Sequence, residues 1–285
     1  MSATLVPVAD AHTHSNPVKG LGMSKIAPKF KEAGGWFLAL VGLSPWHYDL
    51  EPTLDGYEKT LKKTLEEARR ARESGLKVKT LFGFHPADVD KLAGSMEPEK
   101  VLEFGLKVLD IVEKYLKEGL LDGIGEVGRQ HYKTNPVSVV ISELIMNSAI
   151  ERAKDYGAVV HLHLEQGGKV TAIDIKKRVE SLSAPPHKVV VHHARGKSLA
   201  AAVEEGLVAT VPGVKGSLER AISLPPNYMV ESDHIDDPKR PGVVVYPWEM
   251  AKNQLELLRE GKVDEEYLWK LNVDNVVKVF GVTPP

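Results

Sequence analysis

The chain has 285 residues, of which 42% are hydrophobic and 27% charged. That is enough apolar material for one large α/β barrel or two small domains, and too little charge bias for a disordered chain. A net charge of -2 excludes a global field that gathers nucleic acid. The absence of cysteine excludes disulfides and thiolate ligands, so any metal must be held by histidine and carboxylate.

Taken in order, short apolar runs alternate with helical patterns. The runs are Leu5–Ala11, Trp36–Gly42, Lys79–Phe84, Leu121–Val127, Ala158–Leu164, Lys188–His192, Leu207–Val211 and Tyr228–Ser232. Thr53–Ser74 carries Leu61, Leu65 and Ala68 at helical spacing and stops at Gly75. Glu97–Glu118 repeats the pattern up to Gly119, and Pro136–Tyr156 opens on proline and stops at Gly157, the favoured places for both residues. Lys169–Leu182, Ser198–Glu205, Gly216–Ser223, Pro247–Arg259 and a C-terminal pair, Asp264–Leu271 and Asp274–Phe280, complete the helices. Continuous apolar strands, each followed by a helix, predict a buried parallel sheet. Repeated over the whole chain, this predicts a single-domain (β/α)8 TIM barrel spanning residues 1–285. An open doubly wound sheet would carry a Gly-rich phosphate loop after an early strand, and none is present. The N-terminus lacks a basic region followed by a long apolar stretch, and runs such as Trp36–Val41 are too short to span a bilayer. A cytoplasmic protein without membrane contact is expected.

In such a barrel the chemistry sits at the C-terminal strand ends. There the sequence places His12 and His14, then His85, Glu126, His161 and His163, then His192 and His193, and last Asp233. Each has a plain alternative. His85 could be a turn residue before Pro86, Glu126 a helix N-terminal carboxylate, and Asp233 an N-cap. Either His161 or His163 could stand behind the other, and His192 and His193 point opposite ways on an extended chain, so only one easily enters the centre. Jointly, most of the eleven histidines fall on one rim. Two divalent ions ~3.5–4 Å apart need about that many ligands and a shared carboxylate. We assign His12, His14 and Asp233 to one ion, His163 and His192 to the other, and Glu126 as the bridge, with Asp233 placed to accept a proton from water.

These pieces, D-A-H-T-H at 10–14, G-F-H-P at 83–86, I-G-E-V-G at 124–128, V-H-L-H at 160–163, V-V-H-H at 190–193 and E-S-D at 231–233, together resemble the TatD family of metal-dependent hydrolases. The ending at 271–281 is similar to that family's final helix. The resemblance implies a barrel binding two divalent ions, acting on DNA, often as a 3′–5′ exonuclease. It matches His12, His14, Glu126, His163, His192 and Asp233 to metal ligands and His85 to a histidine beside the scissile phosphate. His163 is preferred to His161 by its distance from Gly157. Departures fall in the loops: Arg129-Gln130 stand for leucine-aspartate, Leu164-Glu165 replace a threonine- or cysteine-arginine, and His193-Ala194-Arg195-Gly196 and His234-Ile235-Asp236-Asp237-Pro238 are also atypical. Arg129 and Arg195 are the candidates to replace the missing phosphate-binding arginine, whose planar fork suits phosphate.

The leading expectation is a metal-dependent phosphodiesterase acting on a DNA end, with Trp46, His47, Tyr48, Lys239 and Arg240 as rim contacts. The site equally suits a lactone, an amide or another ester such as an aminoacyl-tRNA, since metals polarise carbonyl and phosphoryl oxygens alike. A third reading is a non-catalytic barrel holding a structural metal. His/carboxylate ligation suits Zn, Mn, Co or Ni, and Mg as well.

Overall fold

The structure, a computed structural model, describes residues 6–239 and 245–285. Leu5 and Arg240, which figured in the expected first strand and rim, lie outside the described residues. Eight strands, β1 (Val8–Thr13), β2 (Gly35–Val41), β3 (Lys77–Phe82), β4 (Gly123–Gly128), β5 (Val159–His163), β6 (Val189–Val191), β7 (Val208–Pro212) and β8 (Met229–Glu231), hydrogen-bond side by side in chain order. Consecutive strands pair in parallel. The Asp233 N–H donates to His12 O at 3.0 Å and the Ser232 N–H to Asp10 Oδ1 at 2.8 Å, which ties the end of β8 to β1. The chain is a (β/α)8 TIM barrel.

The helices are α1 (Met23–Glu32), α2 (Leu54–Glu73), α3 (Pro86–Ala93), α4 (Pro98–Lys117), α5 (Pro136–Asp155), α6 (Lys169–Ser181), α7 (Lys197–Glu204), α8 (Lys215–Ala221), α9 (Pro247–Arg259), α10 (Glu265–Trp269) and α11 (Asn275–Phe280). Their starts follow local chemistry. Thr53 accepts from the Gly56 N–H ahead of α2, and Asn135 accepts from the Val137 N–H ahead of α5, where Pro136 takes the first helical position. Two helices are absent from the sequence pattern. In α1, Met23, Ile26, Ala27 and Phe30 form a buried stripe, yet Pro28 lies inside the helix and reads as a breaker. The short α3 follows directly on His85-Pro86. The expected C-terminal helix pair is instead one run, because Lys270–Asp274 forms a π-helical turn between α10 and α11.

Strand side chains alternate between two cores. Outward residues such as Leu38, Leu40, Ile124, Val160 and Leu162 pack under the helices, whereas Phe37, Ala39, Val41, Leu81, Val159 and Val190 fill the interior. The interior cluster is closed by Val273, Val276, Val279 and Phe280 of the terminal helical run. Asn272 in the π turn accepts from the Ala9 N–H, at 3.0 Å, and its carbonyl accepts from Trp36 Nε1 at 2.9 Å. Both contacts are made at the N-terminal ends of β1 and β2. The bottom of the barrel is therefore plugged, and the polar strand ends gather at the other mouth.

Candidate metal centre

The histidines of β1 reach the mouth because the strand runs on past Thr13, held by the His14 N–H donating to His234 O at 2.9 Å. Nε2 of His12 and Nε2 of His14 lie 3.3 Å apart. Asp10 does not bond either ring. Its Oδ1 instead accepts from the backbone N–H groups of His12 and Ser232, at 3.3 and 2.8 Å. Burial, the dominant influence, raises the Asp10 pKa to about 7.

Glu126 stands in the middle. Its Oε1 lies 3.3 Å from His12 Nε2 and 3.2 Å from His14 Nε2. Its Oε2 lies 2.8 Å from His163 Nδ1, 3.6 Å from His192 Nε2 and 3.4 Å from His85 Nε2. Asp233 Oδ1 is 4.0 Å from His14 Nε2 and 3.8 Å from His192 Nε2. Small residues let the carboxylate in. A Cβ on Gly125 would sit 2.9 Å from Cβ of His161, and one on Gly83 would sit 2.5 Å from Glu126 O. The cluster is almost dry, with Glu126 7%, His163 7% and His192 1% exposed.

The second ring nitrogens orient these side chains. His14 Nδ1 donates to Val41 O at 2.8 Å, which turns Nε2 toward Glu126. His192 Nδ1 pairs with Glu231 Oε2 at 2.8 Å, and His12 Nδ1 with His161 Nδ1 at 2.8 Å. His161 thus stands behind His12 rather than beside His163, the role left open by the strand pattern. Burial lowers the pKa of His12 and of His163 to about 4. Against the same burial, the charges of His192 and His85 and the hydrogen bonds of His12 and His14 hold the Glu126 carboxyl well below its ordinary range. Imidazole nitrogens converging on a carboxylate are a donor set that fits divalent cations. Two overlapping groups, His12–His14–Glu126 and His85–Glu126–His163, keep their ligand atoms within 4.8 Å, and His192–His193–Asp233 does the same.

A cavity of about 420 Å³ opens over these residues, lined also by Leu43, Trp46, His47, His131, His193, Arg195 and Ile235. His85 takes the turn position weighed for it and also lines the cavity. As N-cap of α3 its Nδ1 accepts from the Ala87 N–H at 3.0 Å, while Nε2 faces Glu126. His193 enters the cavity as well as His192, contrary to strict alternation, because it lies beyond β6 with φ 44°. Asp233 has φ 51°, a conformation that Asp tolerates better than most residues. Arg195 reaches the cavity, but Arg129 does not. Its guanidinium is turned outward, bidentate on Glu165 at 2.9 and 2.8 Å, with Glu143 at 3.0 Å and Asp174 at 2.5 Å, on a separate groove. His131, from the β4–α5 loop, was not singled out from the sequence. Its ring lies 4.6 Å from that of His163 and 5.3 Å from that of His193.

Residues 9–281 match the family model described as TatD related DNase. An uncharacterized protein, MJ1127, of Methanocaldococcus jannaschii is 26% identical over 276 residues, which is 96% of each chain. YjjV, a TatD homologue of Escherichia coli K12, is similar in structure with a TM-score of 0.66 and 16% identity, covering 98% of this chain and 100% of its own. A double mutant of organophosphorus hydrolase from Deinococcus radiodurans reaches a TM-score of 0.68 at 14% identity, covering 99% of this chain and 94% of its own. Matched over residues 9–281, this chain belongs to the family described as TatD related DNase.

Proposed function

We propose that this chain is a metal-dependent hydrolase that cleaves a phosphodiester at the end of a DNA strand, using two divalent ions. The observation that carries the reading is the division of Glu126: one carboxylate oxygen faces His12 and His14, the other faces His163 and His192. His12, His14 and Asp233 would hold one ion and His163 and His192 the other, with Glu126 shared. Divalent ions so held supply Lewis acidity toward the substrate oxygen and lower the pKa of water. Asp233, 4.0 Å from His14 Nε2 and 3.8 Å from His192 Nε2, would be placed to take a proton from the attacking water. His85 faces the space where the oxygens of the scissile phosphate would lie, and Arg195 lines the same cavity farther from Glu126 along the β6–α7 connection.

Outside the cavity a second groove of about 530 Å³ carries Lys19, Trp46, His47, Asp49 and Lys239. Trp46 lines both spaces, with Lys91 Nζ 4.2 Å over its ring, and offers one face for stacking a base. Lys19 is already paired with Asp49 at 2.7 Å. That leaves little free positive charge for a long strand, which favours a short end over a processive track.

A second reading, hydrolysis of a lactone or another carboxylic ester, is favoured by the apolar wall of Leu43, Trp46 and Ile235. The test is metal-supplemented protein, with Mg²⁺, Mn²⁺ and Zn²⁺ in turn, on 3′-labelled single-stranded DNA and on a lactone panel. Trimming of DNA that disappears in Glu126→Ala and Asp233→Asn supports the nuclease. Trimming that persists in both variants is contamination and ends it, and cleavage of lactones alone selects the second reading. No helix among the described residues is long and apolar enough to cross a membrane.

A further inference from the structure

The second ring nitrogens of the four proposed histidine ligands have partners with one exception. His14, His192 and His12 use theirs on Val41 O, Glu231 and His161. His163 faces Glu126 through Nδ1, and its Nε2 is buried without a hydrogen-bond partner. A metal-binding histidine ordinarily donates that other N–H to a carboxylate, a carbonyl or water. Here the ring instead meets the rings of His131 and His193, each at 4.6 Å and edge-on. His193 Nε2 is also buried without a partner, and so is Nε of Arg195.

The chemistry of these atoms is unequal. Of these atoms only the arginine Nε is an obligate donor, since an imidazole nitrogen can stand as a lone pair. The edge therefore holds one fixed donor without an acceptor beside two ring nitrogens without partners. Among the described residues lining the cavity the carboxylates are Glu126 and Asp233, and both lie against the metal-binding histidines. Arg195 precedes α7, whose first turn holds no acidic residue, so the helix dipole adds to the positive field. A cation here would face the Arg195 guanidinium, whose charge already acts on His131 and His193. An anion is drawn by the same charge.

We propose that His131, His163, His193 and Arg195 form an oxyanion subsite that takes a phosphate group of the substrate adjacent to the scissile one. Nδ1 and Nε2 lie on different edges of the His163 ring. A group held at Nε2 therefore sits one imidazole beyond the metals and is not the group under attack. The subsite rests on the dinuclear reading above and narrows it: the substrate carries consecutive phosphates, as a nucleotide chain does, and a lone diester leaves the subsite empty.

The test uses the full chain loaded with Zn²⁺ and labelled with ¹⁵N at histidine. Inorganic phosphate should shift the ring signals of His131 and His193, and should bind at least tenfold more weakly to Arg195→Met and His131→Ala. His131 is exposed, so its alanine variant keeps the fold, and both variants should retain the wild-type Zn²⁺ content. On substrates, wild type should prefer a trinucleotide to bis(p-nitrophenyl) phosphate, which has a single phosphate. Each variant should lose tenfold or more of that preference, through KM on the trinucleotide. Equal phosphate affinity in the three proteins, or parallel losses on both substrates, overturns the subsite. So does an additional Zn²⁺ in wild type that His131→Ala removes, since the cluster would then be a cation site. If phosphate shifts the rings as described but neither substrate is cleaved, the subsite stands and the nuclease reading falls.

Discussion

Arg129→Met tests whether the arginine beside the metal strand serves stability or substrate. The guanidinium side chain is 9% exposed, and its carboxylate partners Glu143, Glu165 and Asp174 are 34%, 37% and 38% exposed. Removing one partner of a fully buried ion pair costs ~3–5 kcal/mol, but two features reduce the figure here. Arg178 also holds Glu143 at 3.1 Å and Asp174 at 3.2 Å, so those two keep a cation. Glu165 loses its bidentate partner, keeps only the Thr171 hydroxyl at 2.7 Å, and can draw in water. The expected loss is therefore about 2 kcal/mol, a fall in Tm of ~4–6 °C, read by urea and thermal unfolding. Adding Glu165→Gln removes the stranded charge and should recover about half of it. Per folded molecule, kcat/KM on any substrate should stay within about twofold, because the guanidinium faces away from the cavity. A KM raised tenfold in fully folded Arg129→Met would refute this and return the residue to the substrate site.

Three further outcomes follow from the same geometry. His161→Leu deprives the His12 Nδ1–H of its acceptor and should weaken metal binding ~10–100-fold in a chelator competition with Co²⁺. His161→Asn, which can still accept, should restore part of it, and unchanged affinity in the leucine variant would show that His161 does not orient His12. Asp236 accepts from the backbone N–H groups of Asn16, Leu21 and Gly22 at 2.8, 2.7 and 2.9 Å. Asp236→Ala should cost ~2–3 kcal/mol in urea unfolding, and a change under ~0.5 kcal/mol, the size of an ordinary surface substitution, would mean that water replaces the carboxylate. Asp88, which accepts from Ser44 and Tyr57, has its pKa raised to about 6, chiefly by burial. The folded state then binds the proton more tightly than the unfolded chain, so stability relative to Asp88→Asn should fall as pH rises from ~4 to ~6 and level off above. The span is about 3 kcal/mol, and a difference in Tm that is flat or rising over that window would contradict it.

The barrel could be read from the chain because its two determinants are local. Strands buried on both faces must be apolar throughout, and the residues that end them at one mouth must be polar if they do anything. That is why β1 through β8 and the Glu126 cluster stand out in one dimension. What stayed hidden depends on geometry with no local period. Pro28 inside α1 costs a hydrogen bond and reads as an end, yet Met23, Ile26 and Phe30 bury enough surface to keep the helix. His131 sits in a loop, and nothing in its neighbourhood announces that it meets His163 and His193. Arg129 is the instructive case, for its placement was available. It lies three positions after Glu126, an odd separation, and strand alternation turns odd separations to opposite faces. Its side chain accordingly leaves the mouth and meets Glu165, Glu143 and Asp174. His193 errs in the other direction, since parity should exclude it, but a positive φ just past β6 rotates it back inside. Past a strand end the local backbone decides: Arg129, one residue after β4, keeps its parity, while His193, two residues after β6, loses it to a positive φ.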